Sequence, residues 1–267
     1  MTTTMPFPLS RRAAFLRPLR HLVLAAGALA LIAPTAPALA GSFSWPGNKV
    51  SGSGSLQKQT RALAHFDAVE LGLPGHVEVR LGENESVSVE TDDNLLPLID
   101  TSVEDGVLKI RTAQPNATLA PSALRFVVQA KNIERLKVGG SGSISAPGLR
   151  GAKLEFAVGG SGSIEAPRLQ AKAVAVAIGG SGNFKADGAT DQLKIAIGGS
   201  GGIDAGRLAA DQVKAAIGGS GTAVVWARQT LKASIGGSGD IEYYGDPQLS
   251  NSAHGSGKVR RIGAAPR

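Results

Sequence analysis

The amino-acid sequence predicts an all-β protein: a single-stranded parallel β-solenoid (β-helix) with coils of about 20 residues, preceded by a less regular N-terminal β portion. Three observations predict this fold. The tripeptide GSG occurs seven times between Gly140 and Gly257, at intervals of 18 to 20 residues. Apolar and polar residues alternate on both sides of each copy. A short turn-forming stretch, such as Pro147-Gly148 or Asp187-Gly188, closes each unit.

Each repeat has the pattern of a half-buried strand. In the second copy Leu154, Phe156 and Val158 share one face, and Glu155 and Ser161 lie on the other. A period of two is typical of β-structure, whereas the glycines of each unit would cost a helix about 1 kcal/mol apiece. One unit alone cannot bury its apolar face, so the units are expected to stack.

Stacking predicts continuous apolar columns inside the solenoid. One column is Val138, Val158, Ile178, Ile197, Ile217 and Ile235, and another is Ile144, Ile164, Phe184, Ile203, Ala223, Ile241 and Val259. Each fully buried aliphatic side chain contributes about 1.5–3 kcal/mol, which offsets the entropic cost of the glycines. We expect seven coils that rise about 4.8 Å each.

The recurring GGSG is predicted to mark a corner of every coil. Two of its glycines face inward, where they leave room for a bend and permit a positive φ. The central serine points outward by parity, so the serines should form a polar ladder. Its members are Ser141, Ser161, Ser181, Ser200, Ser220, Ser238 and Ser256.

The portion before the repeats is also β-patterned. A hairpin is expected around Asp105-Gly106, and Asn94–Ile99 (NLLPLI) predicts a turn or a short helical piece. Asp92-Asp93-Asn94 indicates a turn or an N-cap for that piece, with a cation site as the alternative.

Residues 1–40 have the pattern of a signal peptide. Four arginines precede the apolar stretch Leu22–Ala33, and Ala38-Leu39-Ala40 supplies a cleavage pattern. Twelve apolar residues are too few to span a bilayer, so we expect no transmembrane segment after cleavage. Residues 41–60 are predicted to be a Gly/Ser-rich tether, and residues 61–262 a solenoid domain with regular repeats over 131–262. Export by the Sec or the twin-arginine route would lead to the periplasm, the outer envelope or the exterior.

Charge and cysteine content exclude several classes of function. Loss of the signal lowers the formal net charge from +7 to +3, because four arginines and no acidic residue leave with it. Nucleic-acid binding therefore loses its main support. The chain has no cysteine, which excludes disulfides and thiolate metal sites.

The sequence resembles a known family. The stretch that carries the resemblance is HFDAVELGLPGHVEVRLGENESVSVETDDNLLPLIDTSVEDGVLKI, followed by repeated I-G-G-S-G-x-I units. Its most specific elements are Asp92-Asp93-Asn94-Leu95-Leu96 and the recurring GSG before an aliphatic residue. The chain is similar, from about Val50 to Val259, to the family called putative auto-transporter adhesin, head GIN domain. The resemblance implies a secreted or envelope β-solenoid with an adhesive role and no catalytic motif.

No residue pattern predicts a cofactor, a metal or a catalytic group. Calcium-binding glycine-rich repeats need Asp at the position held here by Ile144 or Ile164, and a nine-residue period. The glycine-rich segments also lack the Lys-Ser/Thr and the helix of a phosphate loop. One outward row reads Glu165, Lys185 and Asp204, which mixes signs of charge and predicts a surface ion pair between the first two.

The predicted ligand face comprises the serine ladder from Ser141 to Ser238 and the lysines Lys194, Lys214 and Lys232. These lysines, with Lys137, form a basic stripe for acidic glycans or, alternatively, deter edge pairing. Trp226 and Tyr244 are candidates for stacking on sugars or for capping turns.

We therefore expect an exported, non-enzymatic, adhesin-like binding module whose partner is a glycan or another cell-surface component, as a monomer or a homo-oligomer. The alternatives are a polysaccharide lyase or hydrolase and a purely structural envelope protein.

Overall fold

The structure is a computed structural model that describes residues 49–115 and 117–266. The predicted signal peptide and the first part of the predicted tether lie outside the described residues. The strands are β1 (Lys49–Ser51), β2 (Leu56–Ala62), β3 (Ala68–Leu71), β4 (His76–Leu81), β5 (Ser86–Asp92), β6 (Ile99–Glu104), β7 (Val107–Thr112), β8 (Thr118–Ala120), β9 (Leu124–Ala130), β10 (Arg135–Val138), β11 (Ser143–Ser145), β12 (Arg150–Val158), β13 (Ser163–Ile178), β14 (Asn183–Ile197), β15 (Gly202–Ile217), β16 (Thr222–Ile235), β17 (Asp240–Tyr244), β18 (Gln248–Ala253) and β19 (Val259–Gly263). A 3-10 helix, Leu96–Leu98, precedes β6. Among the described residues, no helix is both long and apolar enough to cross a bilayer.

The predicted fold class is confirmed, because the strands form a parallel β-solenoid of about six turns. The regular repeats make six turns and not the seven expected, since seven GSG corners enclose six complete intervals. We number the turns in chain order: turn 1 is β11 with β12, turns 2 to 5 are β13 to β16, and turn 6 is β17 with β18.

Each turn contributes three paired segments, which we call A, B and C. In turn 2 these are residues 163–166, 169–171 and 173–178, each paired in parallel with turn 3. The predicted columns are confirmed, because Ile178 pairs with Ile197 and Ile197 with Ile217. All three side chains are 2% exposed or less, so successive turns share one dry interior.

The GGSG corners are places where the backbones of successive turns come very close together. A Cβ atom on Gly180 would lie 2.3 Å from the carbonyl oxygen of Gly160, and one on Gly182 would lie 2.3 Å from that of Gly162. Among the glycines of the seven corners, only Gly255 has a positive φ. Glycine is therefore required by close stacking rather than by the positive φ that the sequence predicts.

The N-terminal portion extends the parallel solenoid, and its antiparallel strand pairs cover the N-terminal end. Strands β3 and β4 pair in parallel with β10 and β11, and they place Gly72 and Gly75 at the positions of Gly139 and Gly142. Beyond them lie β7 and β9, and β2, β5 and β6 add antiparallel pairs at this end. The predicted hairpin is present between β6 and β7, with φ values of 51° at Asp105 and 74° at Gly106.

The residues before the domain differ from the expected tether, because Lys49–Ser51 and Leu56–Ala62 are strands. The loop between these strands is fastened by the acidic run. Asp92 is buried and accepts hydrogen bonds from the backbone N–H of Gly54 at 2.7 Å and of Ser122 at 2.8 Å. Of the two alternatives predicted for the acidic run, the turn is present at residues 93–95, whereas the N-cap is absent, since the 3-10 helix has no side-chain cap.

Candidate functional site

Three of the predicted site residues form a row of cations on segment C. Lys194 pairs with Lys214 and Lys214 with Lys232 in the strand register of turns 3 to 5. Neighbouring strands lie about 4.8 Å apart, and all three side chains are exposed. We call these three residues the lysine row.

The lysine row has no internal counter-charge. Among residues 49–115 and 117–266, no carboxylate forms an ion pair with any of the three lysines. By contrast, Lys153, on the same face, pairs with Glu155 at 2.5 Å. Like charges stacked directly across strands are destabilising, so this row is held in place by the fold and not by its own electrostatics.

A shallow groove runs along the lysine row. Its volume is about 380 Å³, and its walls include the three lysines, Lys153 and the polar side chains of Gln192, Gln212 and Thr230. The last three stand two residues before the lysines and are themselves in register. The groove therefore offers ammonium groups on one side and amide or hydroxyl groups on the other. Sequence analysis missed the glutamines, although their constant offset from the lysines could have revealed them.

Edge protection does not account for the row. Lys194 and Lys214 lie on strands β14 and β15, each of which is paired on both sides. Lys137, which the sequence analysis grouped with these lysines, is not part of the lysine row. It pairs in register with Ala157, and it forms an ion pair with Glu70 at 2.8 Å.

The serine ladder forms a second exposed row at the GGSG corners. Each serine from Ser161 to Ser238 donates its backbone N–H to a glycine carbonyl of the turn before, as from Ser200 to Gly180 at 3.1 Å. Each lysine lies six positions before the serine of its corner, as Lys194 before Ser200. At about 3.3 Å per residue, this is at most roughly 20 Å. The exposed small residues Ala196 and Gly198 lie between the two rows.

The outward row considered for catalysis is in register but forms no catalytic constellation. Glu165, Lys185 and Asp204 are stacked on segment A of turns 2 to 4. The ion pair predicted between the first two is absent from the described part of the chain. Residues 49–115 and 117–266 also contain no cluster of His, Cys, Asp or Glu that could hold a metal ion.

One pair of chemically reactive residues was missed by sequence analysis. His76 Nδ1 lies 2.9 Å from Ser143 Oγ, since β4 and β11 are neighbours although the two residues are 67 positions apart in the sequence. An activated serine needs a base that is itself oriented by a third group. Within the described residues, no such group binds His76, and both side chains are on the open surface of a strand.

Comparisons with known proteins agree with the fold. The family described as "Putative auto-transporter adhesin, head GIN domain" matches residues 65–247. A search of curated proteins found no match.

Solved structures of similar proteins cover the same part of the chain. A putative adhesin from Bacteroides fragilis has a TM-score of 0.76 at 22% identity, over 80% of this chain and 100% of that one. Two proteins from Parabacteroides distasonis show the same coverage: a putative lipid-binding protein (TM-score 0.69, 26% identity) and a putative adhesin (TM-score 0.64, 25% identity). None of the three is described as an enzyme.

Proposed function

Because this chain belongs to the family of putative auto-transporter adhesins with a head GIN domain, we propose that it is an exported, non-enzymatic binding module of the cell envelope or exterior. Its ligand is an acidic glycan, which lies along the solenoid axis on the lysine row. The observation that carries this proposal is the register of Lys194, Lys214 and Lys232, none of which forms an ion pair within the part of the chain that the structure describes.

The physical reason is charge compensation by a linear polyanion. Three ammonium groups at successive rungs repel one another across about 4.8 Å. A polymer with an acid group on successive units would place its negative charges along the same line. Gln192, Gln212 and Thr230, which line the same groove, can exchange hydrogen bonds with sugar hydroxyls. The serine ladder would contact only a ligand wide enough to cover both rows.

A glycan suits this face better than a lipid bilayer. One relative, 26% identical, is described as a putative lipid-binding protein, and anionic headgroups would also attract lysines. Membrane binding gains from apolar side chains that insert between lipids. The outward neighbours of the lysine row are instead small or polar, such as Ala196, Ala216 and Ser234.

The test is binding of the chain without residues 1–40 to immobilised polygalacturonate, with neutral dextran and phosphatidylglycerol vesicles as comparisons. We expect the variant Lys194→Gln/Lys214→Gln/Lys232→Gln to bind about 3- to 150-fold more weakly, since it loses three exposed ion pairs that contribute about 0.2–1 kcal/mol each. Added salt should weaken binding of the unaltered protein.

The matched control removes the same charge elsewhere: Lys58→Gln/Lys131→Gln/Lys258→Gln, three exposed lysines that do not line the groove. This variant should bind as the unaltered protein does. Equal losses in both variants would mean that only net charge matters, and preferential binding to the vesicles would favour a lipid ligand; either result rejects the proposal. Cleavage of the polysaccharide would instead support the enzyme alternative.

Export is tested separately, by N-terminal sequencing of the protein from fractionated cells. The proposal expects a mature chain that begins at Gly41, outside the cytoplasm.

A further inference from the structure

The corner between segments A and B changes length partway along the solenoid. The interval between successive GSG corners is 20 residues in turn 4 but 18 in turns 5 and 6. Pairing between β15 and β16 accordingly jumps from Ala205–Val225 to Ala209–Trp226. Gly206, Arg207 and Leu208 therefore have no counterpart in turn 5, and the surface steps inward beside them.

The chain after β19 borders this step. Residues 262–266 line a cleft of about 740 Å³ together with side chains of turns 3 to 6. The cleft lies at segment A and the corner after it, whereas the lysine row is on segment C. It is therefore a separate site, and its occupancy does not depend on the function proposed above.

One wall of the cleft is apolar and aromatic. Tyr244, from turn 6, reaches past turn 5 to the backbone of turn 4: a Cβ on Gly206 would lie 3.4 Å from Tyr244 Cε2 and 3.0 Å from Val224 Cγ1. A Cβ on Gly263 would lie 3.2 Å from the same ring. Two glycines thus make the room in which the ring of Tyr244 lies, half-buried beside Val224.

The rest of the cleft lining is charged but balanced. Lys185 is stacked on Asp204, and Asp187 on Arg207, so the two cations and two carboxylates cancel formally. Backbone hydrogen bonds fix both carboxylates, since Asp187 Oδ1 accepts from the N–H of Arg168 at 2.8 Å and Asp204 Oδ1 from the N–H of Gly206 at 3.3 Å.

We infer that this cleft binds a neutral saccharide unit. A pyranose ring has an apolar face that suits Tyr244 and Val224, and a rim of hydroxyls that can donate to carboxylates and accept from Lys185. A cleft of this size, with an apolar wall and a few fixed polar groups, has the composition of a small-ligand site. The zero net charge of the lining favours an uncharged sugar over an acidic one.

The experiment is saturation-transfer NMR of the chain without residues 1–40 with maltotriose, cellotriose and chitotriose, followed by titration of each sugar that binds. At least one should bind, and Tyr244→Ala should weaken its affinity at least about fivefold through loss of the ring contact. Asp204→Asn should have an effect of similar size. Gly206→Val, which fills the cleft at the ring, should abolish binding. Circular dichroism spectra identify any variant that fails to fold.

Two variants serve as controls. Glu165→Gln alters the same outward row two turns away from Asp204 and outside the cleft, so it should leave binding unchanged. Lys194→Gln/Lys214→Gln/Lys232→Gln should also retain it, which separates this site from the lysine row. The inference is overturned if none of the three sugars binds at millimolar concentration, or if folded Tyr244→Ala, Asp204→Asn and Gly206→Val variants bind as well as the unaltered protein.

Discussion

Two glycines of the same corner have opposite surroundings, and this contrast gives a test at the scale of single residues. A methyl group on Gly180 would lie 2.3 Å from the carbonyl oxygen of Gly160, whereas one on Gly179 would meet no atom within 4 Å. Gly180→Ala must push two turns apart, and we expect it to cost about 1–3 kcal/mol. For a domain of this size that lowers Tm by several degrees.

Gly179→Ala is the matched control, because it makes the same chemical change one position earlier. It should stay within about 0.5 kcal/mol of the unaltered protein. Thermal melts followed by circular dichroism compare the two variants. Equal Tm values for Gly179→Ala and Gly180→Ala would show that close backbone stacking is not why glycine occupies the corner.

The buried carboxylate of Asp92 predicts a dependence of stability on pH. Its pKa is held below the ordinary value, chiefly by the backbone N–H of Ser122 and also by that of Gly54, against the opposing effect of burial. The ionised group therefore stabilises the fold above an unfolded-state pKa near 4, and this contribution is lost as the pH falls through the lower folded-state value.

Asp92→Asn should accordingly lower Tm at pH 7, and the difference from the unaltered protein should shrink below about pH 4. Melting curves between neutral and acidic pH measure this difference. If the two Tm profiles stay parallel over the whole range, ionised Asp92 does not fasten the loop of Gly54.

Much of the residue pattern could be predicted from the sequence, because a period of two assigns each side chain to one face without knowledge of its partners. The column through Ile178, Ile197 and Ile217 is an example. The role of Asp92 could not be predicted, since its partners Gly54 and Ser122 are 38 and 30 positions away. Local spacing carries no signal for such contacts.

At the scale of elements, one whole turn should be removable. Deletion of residues 163–182 joins Gly162 to Asn183 and brings β12 onto β14, whose inward residues are also aliphatic, as in Val158 and Ile197. Since each turn contacts mainly its neighbours, we expect a folded protein with a lower Tm. Because the lysine row belongs to turns 3 to 5, its binding to polygalacturonate should persist.

A half-turn deletion is the control. Removal of residues 163–172 would join segment C of turn 2 directly to the GGSG corner that normally leads into segment A. The shortened turn could then match neither the strand register nor the corners of turns 1 and 3. This variant should lose cooperative melting. The stacked-turn account fails at this scale if both deletions melt alike.

The less regular elements show where sequence reasoning stopped. The turn formed by β3 and β4 was missed, although Leu71-Gly72-Leu73-Pro74-Gly75 keeps the glycine spacing of a GGSG corner and is followed by inward Val77. The signal was present but degenerate. The antiparallel pairing of β2 with β5 had no such signal, because alternation defines a strand without defining its neighbour.

At the scale of the whole molecule, the two candidate sites have different origins. The regular repeat produces the lysine row, and the change in repeat length produces the cleft. In-register turns align Lys194, Lys214 and Lys232 along the axis, whereas the shortening from 20 to 18 residues creates the cleft beside Tyr244. The shortening was visible in the sequence. Its consequence was not, because the cleft also needs residues 262–266 to lie against turns 3 to 6.

The most direct test of the central functional claim is the dependence of affinity on ligand length. Oligogalacturonides from the monomer to the octamer are titrated calorimetrically into the chain without residues 1–40. A polymer that lies along the lysine row should gain affinity with each added acid group until all three lysines are engaged, over about 10 Å, and then level off. The Lys194→Gln/Lys214→Gln/Lys232→Gln variant should show no such rise. Equal affinity for the monomer and the octamer, or the same length dependence in that variant, would contradict the claim.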